Sequence, residues 1–246
     1  MALARAGWNV FGVHLDRKAT QPNVDRIVAE IATTGRKAEF FNVNAADDAR
    51  RAEVVAAIRE RCGSEPPETR VSVVLHSLAF GTLKPYFAAT REESVSRAQM
   101  EMTVDVMAHS LVYWVQDLVF SDLLTPGARV FAMTSAGDHI VWPAYGAVSA
   151  AKCALEAHVR QLAVELAPRR VAVNALRAGI TDTPALRKIP GNADMIDRMG
   201  RMHPAGRLTT PADVAAALVA LCANGAGWIS GNVLGVDGAE DVAGGR

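Results

Sequence analysis

Residues 145–168 read YGAVSAAKCALEAHVRQLAVELAP. Small and apolar residues recur at helical spacing through this stretch, and Pro168 ends it, so it reads as a long helix. Two side chains near its start, Tyr145 and Lys152, lie seven positions apart. Seven steps of about 100° bring them to within about 20° of one helical face. A phenol and an ammonium on one face suit proton donation beside a bound cofactor. Short apolar runs flank the helix, ARVFAMTS (128–135) before it and RVAVNAL (170–176) after it. Strand, helix, strand in that order calls for a parallel sheet.

The same alternation extends to both ends. WNVFGVHL (8–15) reads as a strand, and QPNVDRIVAEIATTG (21–35) as a helix closed by Gly35. KAEFFNV (37–43) is a strand and DDARRAEVVAAIRERCG (47–63) a helix closed by Gly63. EPPET (65–69) is a turn-rich loop, and RVSVVLH (70–76) a strand of the buried type. A long helical stretch, broken once, is expected from about Arg91 to Leu124. Residues 183–203 form a mixed segment of short helices, and Thr210-Pro211-Ala212-Asp213 opens a further helix with an N-cap threonine and a proline at its first position. NVLGVDG (232–238) is a last strand. Without repeats, low-complexity tracts or linkers, residues 1–246 form a single domain.

Composition narrows the function. The chain has 246 residues, half of them apolar, with 26 basic and 26 acidic side chains. Neutral balance gives no reason to expect nucleic acid or an anionic membrane as the main partner. No apolar run approaches the roughly 20 residues of a membrane span. Cys62, Cys153 and Cys222 are odd in number and widely spaced, which suits a reducing cytoplasm rather than a disulfide framework. The six histidines show no metal-ligand spacing, so no metal is expected.

Five segments in order, LHSLAFG (75–81), TSAGDHIVWPAYGAVSAAKCALEAHVRQLAVEL (134–166), VAVNALRAGITDTPAL (171–186), PAGRLTTPADVA (204–215) and SGNVLGVDG (230–238), resemble the short-chain dehydrogenase/reductase family from Leu3 to about Val242. The resemblance implies a Rossmann-type, doubly wound parallel α/β sheet and an NAD(P)H-dependent oxidoreductase. Most family members place the tyrosine four residues before the lysine, where this chain has Val148. A tyrosine one turn further away, LHSLAFG, Asp105 and PAGR resemble the NADPH-dependent enoyl-[acyl-carrier-protein] reductase branch. The implied reaction is reduction of a trans-2-enoyl thioester, as in fatty-acid biosynthesis, with the acyl group on acyl carrier protein or a similar thiol. A 3-oxoacyl or ketone reductase is the alternative within the family. In conjugate reduction the oxygen that gains charge lies farther from the nicotinamide than a ketone oxygen does. A displaced phenol can meet it there and stabilise the enolate as it forms.

The resemblance carries residue roles with it. Lys152 would hold the nicotinamide ribose, and Tyr145 would be the proton donor. Ser135 either assists the substrate oxygen or caps the end of its strand. Asn42 and Val43 match the adenine-contacting pair, Ser77, Leu78 and Ala79 the stretch along the adenosine ribose, and Thr181 and Thr183 the segment holding carboxamide and diphosphate. The strand-tip position that selects between cofactors is His14, which is not acidic; Arg17 and Lys18 after it would pair a 2′-phosphate, whereas Asp16 would take the adenosine 2′-hydroxyl or repel the phosphate. The balance leans to NADPH, with NADH as the other choice. Leu186, Ile189, Met195, Ile196, Met199 and Met202 suit either a lid over an acyl chain or ordinary helix packing. Arg187, Lys188, Arg198 and Arg201 would either meet an acidic carrier or form a solvated face. The long helix after Arg91 and the Tyr145 helix carry more apolar surface than one sheet face needs, so Val112, Tyr113, Trp114 and Leu118 are expected against a second subunit. The resemblance implies a homodimer or homotetramer formed through these helices.

One departure is large. The family opens with a strand and a T-G-x-x-x-G-x-G turn, and this sequence begins within the helix that follows them. The resemblance therefore implies a sheet lacking its first, central strand and a native protein longer by roughly 15–25 residues. A true short form unable to hold cofactor, acting as a scaffold, is the alternative. Two strands beside the gap would then present unpaired backbone groups.

Overall fold

The computed structural model describes residues 1–64 and 69–243. The EPPET loop falls largely outside these. The elements are α1 (Ala2–Arg5), β1 (Val10–His14), α2 (Gln21–Ala32), β2 (Ala38–Asn42), α3 (Asp48–Gly63), β3 (Val71–His76), α4 (Arg97–Val104), α5 (Ser110–Phe120), β4 (Leu124–Ser135), α6 (Gly146–Leu166), β5 (Ala172–Ala178), α7 (Asn192–Met202), α8 (Pro211–Leu221), β6 (Val233–Val236) and α9 (Glu240–Ala243). Strand and helix alternate as the sequence predicts.

The sheet is interrupted at one place. β1 pairs in parallel with β2, and β3, β4, β5 and β6 form a parallel four-stranded sheet in that order. No ladder joins β1 to β3. Their starting ends are tied by a side chain instead: the Trp8 indole N–H donates to Ser72 Oγ at 3.1 Å. Val10 N–H donates to Lys37 and His14 O accepts from Val43, so these residues turn their backbone groups toward β2. In a parallel ladder alternate residues face opposite edges, so Phe11 and Val13 turn theirs toward β3.

Burial follows the interruption. β4 and β5 are buried along most of their length, as central strands should be. β3 is not of the fully buried type expected from its apolar run: Val71–Val74 are half-buried and Leu75 is 43% exposed. Its edge toward β1 lacks a covering strand, and this is the reason.

One large core lies between the sheets and α3, α5 and α6. Val54, Ile58, Leu111, Val115, Val130, Leu155, Val159 and Val173 form its centre, with Phe11, Val13, Phe41 and Val43 of the two-stranded sheet packed against it. A smaller core of Phe131, Leu176 and Leu218 lies on the opposite face beneath α8, and Leu3 of α1 joins it. Burying each such side chain contributes about 1.5–3 kcal/mol, so packing supplies most of what holds the two sheets together.

Local signals work as read in most places. Gly35 ends α2 with φ +73°, a conformation glycine adopts without strain. Thr210 caps α8 by accepting from Asp213 N–H at 3.3 Å, while Asp213 accepts from Thr210 N–H at 2.8 Å. Gly63 instead remains inside α3, and Ser64 follows as the cap. The expected long helix begins at Arg97, ends at Phe120, and is broken by a wider π-type turn at Asp105–His109.

Val112, Tyr113, Trp114 and Leu118, expected against a second subunit, find cover first within this chain. Leu118 is buried in this chain's own core, Trp114 donates its indole N–H to Ala45 O at 2.9 Å, and the Arg51 guanidinium sits 5.4 Å from the centre of the Tyr113 ring. Val112 packs on the same core. The large apolar side chains that α5 and α6 do expose are Phe120 and Val164.

Candidate active site

The candidate residues gather along the carboxyl edge of the strands, where open α/β sheets bind ligands. β4 ends at Ser135, and a short 3-10 turn (Ala136–Asp138) leads toward α6. Tyr145 is the N-cap of α6, with dihedrals of −94° and −3°, still in the helical region. The seven-position count to Lys152 therefore applies. Val148, between them, is buried against Met107 and Ala151, and the Tyr145 ring packs on that cluster together with Leu83.

Close packing fixes the phenol. A Cβ on Gly137 would lie 2.4 Å from the Tyr145 ring, so any larger residue there would push the ring aside. A Cβ on Gly146 would lie 2.5 Å from the Tyr86 ring. The Tyr145 hydroxyl lies 3.5 Å from Ser135 Oγ, longer than an ordinary O–H···O bond, so neither hydroxyl is committed to the other. Burial raises the Tyr145 pKa, which keeps the phenol protonated and able to donate.

Lys152 is 7% exposed, and Nζ donates to Met133 O at 2.7 Å. An ammonium carries three N–H donors. Burial lowers its pKa to about 8, and Glu156, one turn along the helix, partly offsets this. Glu156 itself accepts from Thr134 Oγ1 at 2.7 Å, and burial raises its carboxyl pKa. Sequence reasoning missed Glu156, although its spacing of four from Lys152 was the available signal. It also missed His76, at the end of β3, which meets Ser110 Oγ at 2.8 Å. Burial, and then the Lys152 charge, lower the His76 pKa to about 4, so this imidazole is neutral.

The residues expected on the adenosine side lie at the ends of β1 and β2. Asp16 N–H donates to Asn42 Oδ1, and Asn42 Nδ2 donates to Asp16 O, each at 3.0 Å. Asn42 thus holds the turn after β1, a role the sequence did not suggest. The Asp16 carboxylate meets His14 Nδ1 at 2.9 Å, and hydrogen bonds from Thr20 and His14 lower its pKa. Arg17 and Lys18 are exposed beside it, and Val43 is half-buried. After β3, Ser77 and Ala79 are exposed and Leu78 half-buried. Beyond β5, Thr181 donates its hydroxyl to Gly179 O at 2.9 Å, and Thr183 Oγ1 accepts from Leu186 N–H at 3.2 Å.

The lid segment has an apolar side without a buried residue: Met195, Ile196 and Met199 of α7 are all half-buried. Trp142, from the loop before Tyr145, donates its indole N–H to Pro190 O at 2.9 Å and so ties this segment to the Ser135–Tyr145 loop. The basic face is partly neutralised within the chain, since Asp182 binds Arg187 and Asp197 binds Arg201.

The described residues fit a dinucleotide in part. A buried ammonium with one acceptor, Met133 O, has two donors left for a ribose diol, and Asp16 lies two residues past the end of β1. No T-G-x-x-x-G-x-G occurs in residues 1–246 to cradle a diphosphate. No group of three or more His, Cys, Asp or Glu among the described residues is placed to hold a metal, and no described helix is long and apolar enough to cross a membrane.

Residues 1–239 match the family described as enoyl-(acyl carrier protein) reductase. The chain belongs to that family. Its members lie within the short-chain dehydrogenase/reductases, and the chain is accordingly an NAD(P)H-dependent oxidoreductase. It is 29% identical over 223 residues to the enoyl-[acyl-carrier-protein] reductase [NADH] FabI of Nostoc sp. (strain PCC 7120), covering 89% of this chain and 81% of that one. It is 35% identical over 123 residues to the 1-cyclohexenylcarbonyl-CoA reductase of Streptomyces collinus, covering 49% of this chain and 44% of that one. Among solved structures, the enoyl-[acyl-carrier-protein] reductase (NADH) of Aquifex aeolicus VF5 superposes with a TM-score of 0.83 at 22% identity, covering 99% of this chain and 89% of that one.

Proposed function

We propose that this reductase transfers hydride to the β-carbon of a trans-2-enoyl thioester, with Tyr145 donating to the carbonyl oxygen as it becomes an enolate. When bound, the reduced nicotinamide supplies the hydride. Lys152 would donate to the ribose hydroxyls with the N–H groups that Met133 leaves open. Its charge also favours the enolate over the neutral thioester. The observation that carries the reading is the Tyr145 hydroxyl: held protonated by burial, fixed against Gly137, and one helical turn before the buried Val148. The half-buried apolar side of α7 would cover the acyl chain, on acyl carrier protein or another thiol.

For the cofactor, we favour NADH. An ionised Asp16 pinned by His14 accepts from a 2′-hydroxyl and repels a 2′-phosphate, and the FabI relatives carry NADH in their names. NADPH, toward which the sequence leans, remains the second reading on the strength of exposed Arg17 and Lys18.

The test is Tyr145→Phe with crotonyl and 3-oxobutyryl thioesters side by side. Losing one hydrogen-bond donor to a developing oxyanion costs about 10²–10³ in kcat, and that loss is expected on the crotonyl substrate. An unchanged rate of hydride transfer overturns the assignment. Faster turnover of the 3-oxo substrate favours ketone reduction instead, a reading that the nearness of Ser135 Oγ to the Tyr145 hydroxyl supports.

A further inference from the structure

The segment after β6 reaches behind the site and touches three stretches far from it in sequence. Glu240 is 8% exposed, and both its carboxylate oxygens accept from Ile180 N–H, at 3.1 and 3.0 Å. Ile180 immediately precedes Thr181. A Cβ on Gly179 would lie 2.7 Å from Glu240 and 2.5 Å from Thr209, so the chain passes without slack. Asp241 accepts from His139 Nε2 at 2.8 Å with one oxygen and binds Arg177 of β5 with the other. The opposite ring nitrogen of His139 faces Asp138 Oδ1. His139 lies between Ser135 and Tyr145. Finally His203, buried just after α7, meets Asp237 O at 2.8 Å and comes within 3.7 Å of Glu240.

We propose that Glu240 and Asp241 are positioning residues that hold the two walls of the site in register: Asp241 fixes the Ser135–Tyr145 loop through His139, and Glu240 fixes the Thr181–Thr183 segment through Ile180. The proposal rests on the reading of these two segments as substrate and cofactor walls. It assigns separate jobs to adjacent carboxylates, so their losses must differ in kind. A protonated His139 donates to Asp138 and Asp241 at once, whereas a neutral imidazole donates to only one. The groups around it are Asp138 and Asp241 in contact, Arg177 behind Asp241, and Glu156 and Cys153 approaching Asp138 from α6. Partial burial lowers the His139 pKa, but the hydrogen bonds of Asp241 and Asp138 outweigh it and raise the pKa above the ordinary value. The clasp on the catalytic loop is thus complete below that pKa and weakens as pH rises through it.

The experiment compares Asp241→Asn, His139→Gln and Glu240→Gln in the full chain. Three readouts are taken: amide exchange at Ile180, the His139 titration by NMR, and kcat against cofactor KM over pH. Asp241→Asn should lower the His139 pKa, carry the alkaline limb of kcat to lower pH, and reduce kcat by about tenfold at unchanged cofactor KM. His139→Gln keeps the Arg177–Asp241 pair intact, so it tests the same loop where Asp241→Asn fails to fold. It should lower kcat similarly, and the double variant should be no worse than either single. Glu240→Gln should speed Ile180 exchange by about tenfold and raise cofactor KM, with kcat within about twofold of the parent. An unmoved His139 titration in Asp241→Asn, unmoved Ile180 exchange in Glu240→Gln, or equal loss of kcat and KM in all variants overturns the proposal. Exchange and titration need no turnover. A protein that fails to reduce enoyl thioesters but shows both shifts refutes the proposed reaction and leaves the clasp standing.

Discussion

Replacing Lys152 by methionine should abolish cofactor-dependent activity and make the protein more stable. The ammonium is buried, and its pKa falls from 10.5 to about 8. At about 1.36 kcal/mol per unit, keeping this lysine charged costs the folded state ~3 kcal/mol at pH 7. Methionine is of similar length and removes that cost. It also leaves Met133 O without its donor, a loss of about 1 kcal/mol. Glu156 keeps its hydrogen bond from Thr134 Oγ1 in the variant. The net gain is about 2 kcal/mol at pH 7, worth roughly 4–8 °C in melting temperature for a chain of this size.

The buried Lys152 also makes stability depend on pH. The unfolded lysine holds its proton up to its normal pKa, while the folded one releases it near 8. Wild-type stability therefore rises with pH between the two values, and the advantage of methionine shrinks to about 1 kcal/mol by pH 9. Urea denaturation of both proteins at pH 7 and pH 9 measures it. A Lys152→Met variant no more stable than the parent at pH 7, or an advantage that does not shrink by pH 9, refutes the reasoning.

His76 predicts an acid-side loss. The unfolded histidine takes a proton near 6.5 and the folded one only near 4, so stability should fall by about 2 kcal/mol from pH 7 to pH 5. His76→Gln should flatten that part of the curve in the same urea titration. Thr210→Ala removes the side-chain half of the α8 capping box and should cost ~1 kcal/mol, lowering the melting temperature by about 2–4 °C without changing turnover. A larger loss, or a change in turnover, would mean that Thr210 does more than cap the helix.

Much of this architecture is legible in the sequence because its signals are local. Gly35, the Thr210–Asp213 pair and the period of residues 145–168 each settle an element within a few positions. The shared face of Tyr145 and Lys152 follows from helix geometry alone. What escapes is set by partners far along the chain. His139 and Asp241 are 102 residues apart, and nothing near either foretells the other. Asn42 looked like a ligand-facing acceptor, yet the turn after β1 needs it first. The half-exposed β3 and the inward-facing Trp114 and Leu118 show the same limit: apolar content tells that a side chain seeks cover, and only the neighbouring elements decide which cover it finds.

The interrupted sheet implies uneven local stability. Among the described residues, side-chain packing and bonds such as Trp8–Ser72 take the place of a strand ladder between the β1–β2 layer and the four-stranded layer. Such a unit should open as a separate foldon, with a free energy well below that of global unfolding. Asp16 and Asn42 travel with it, whereas Tyr145 and Lys152 stay with the other layer. Any molecule that touches both sides would then act as a crosslink between two folding units, and its affinity would include the work of holding them closed.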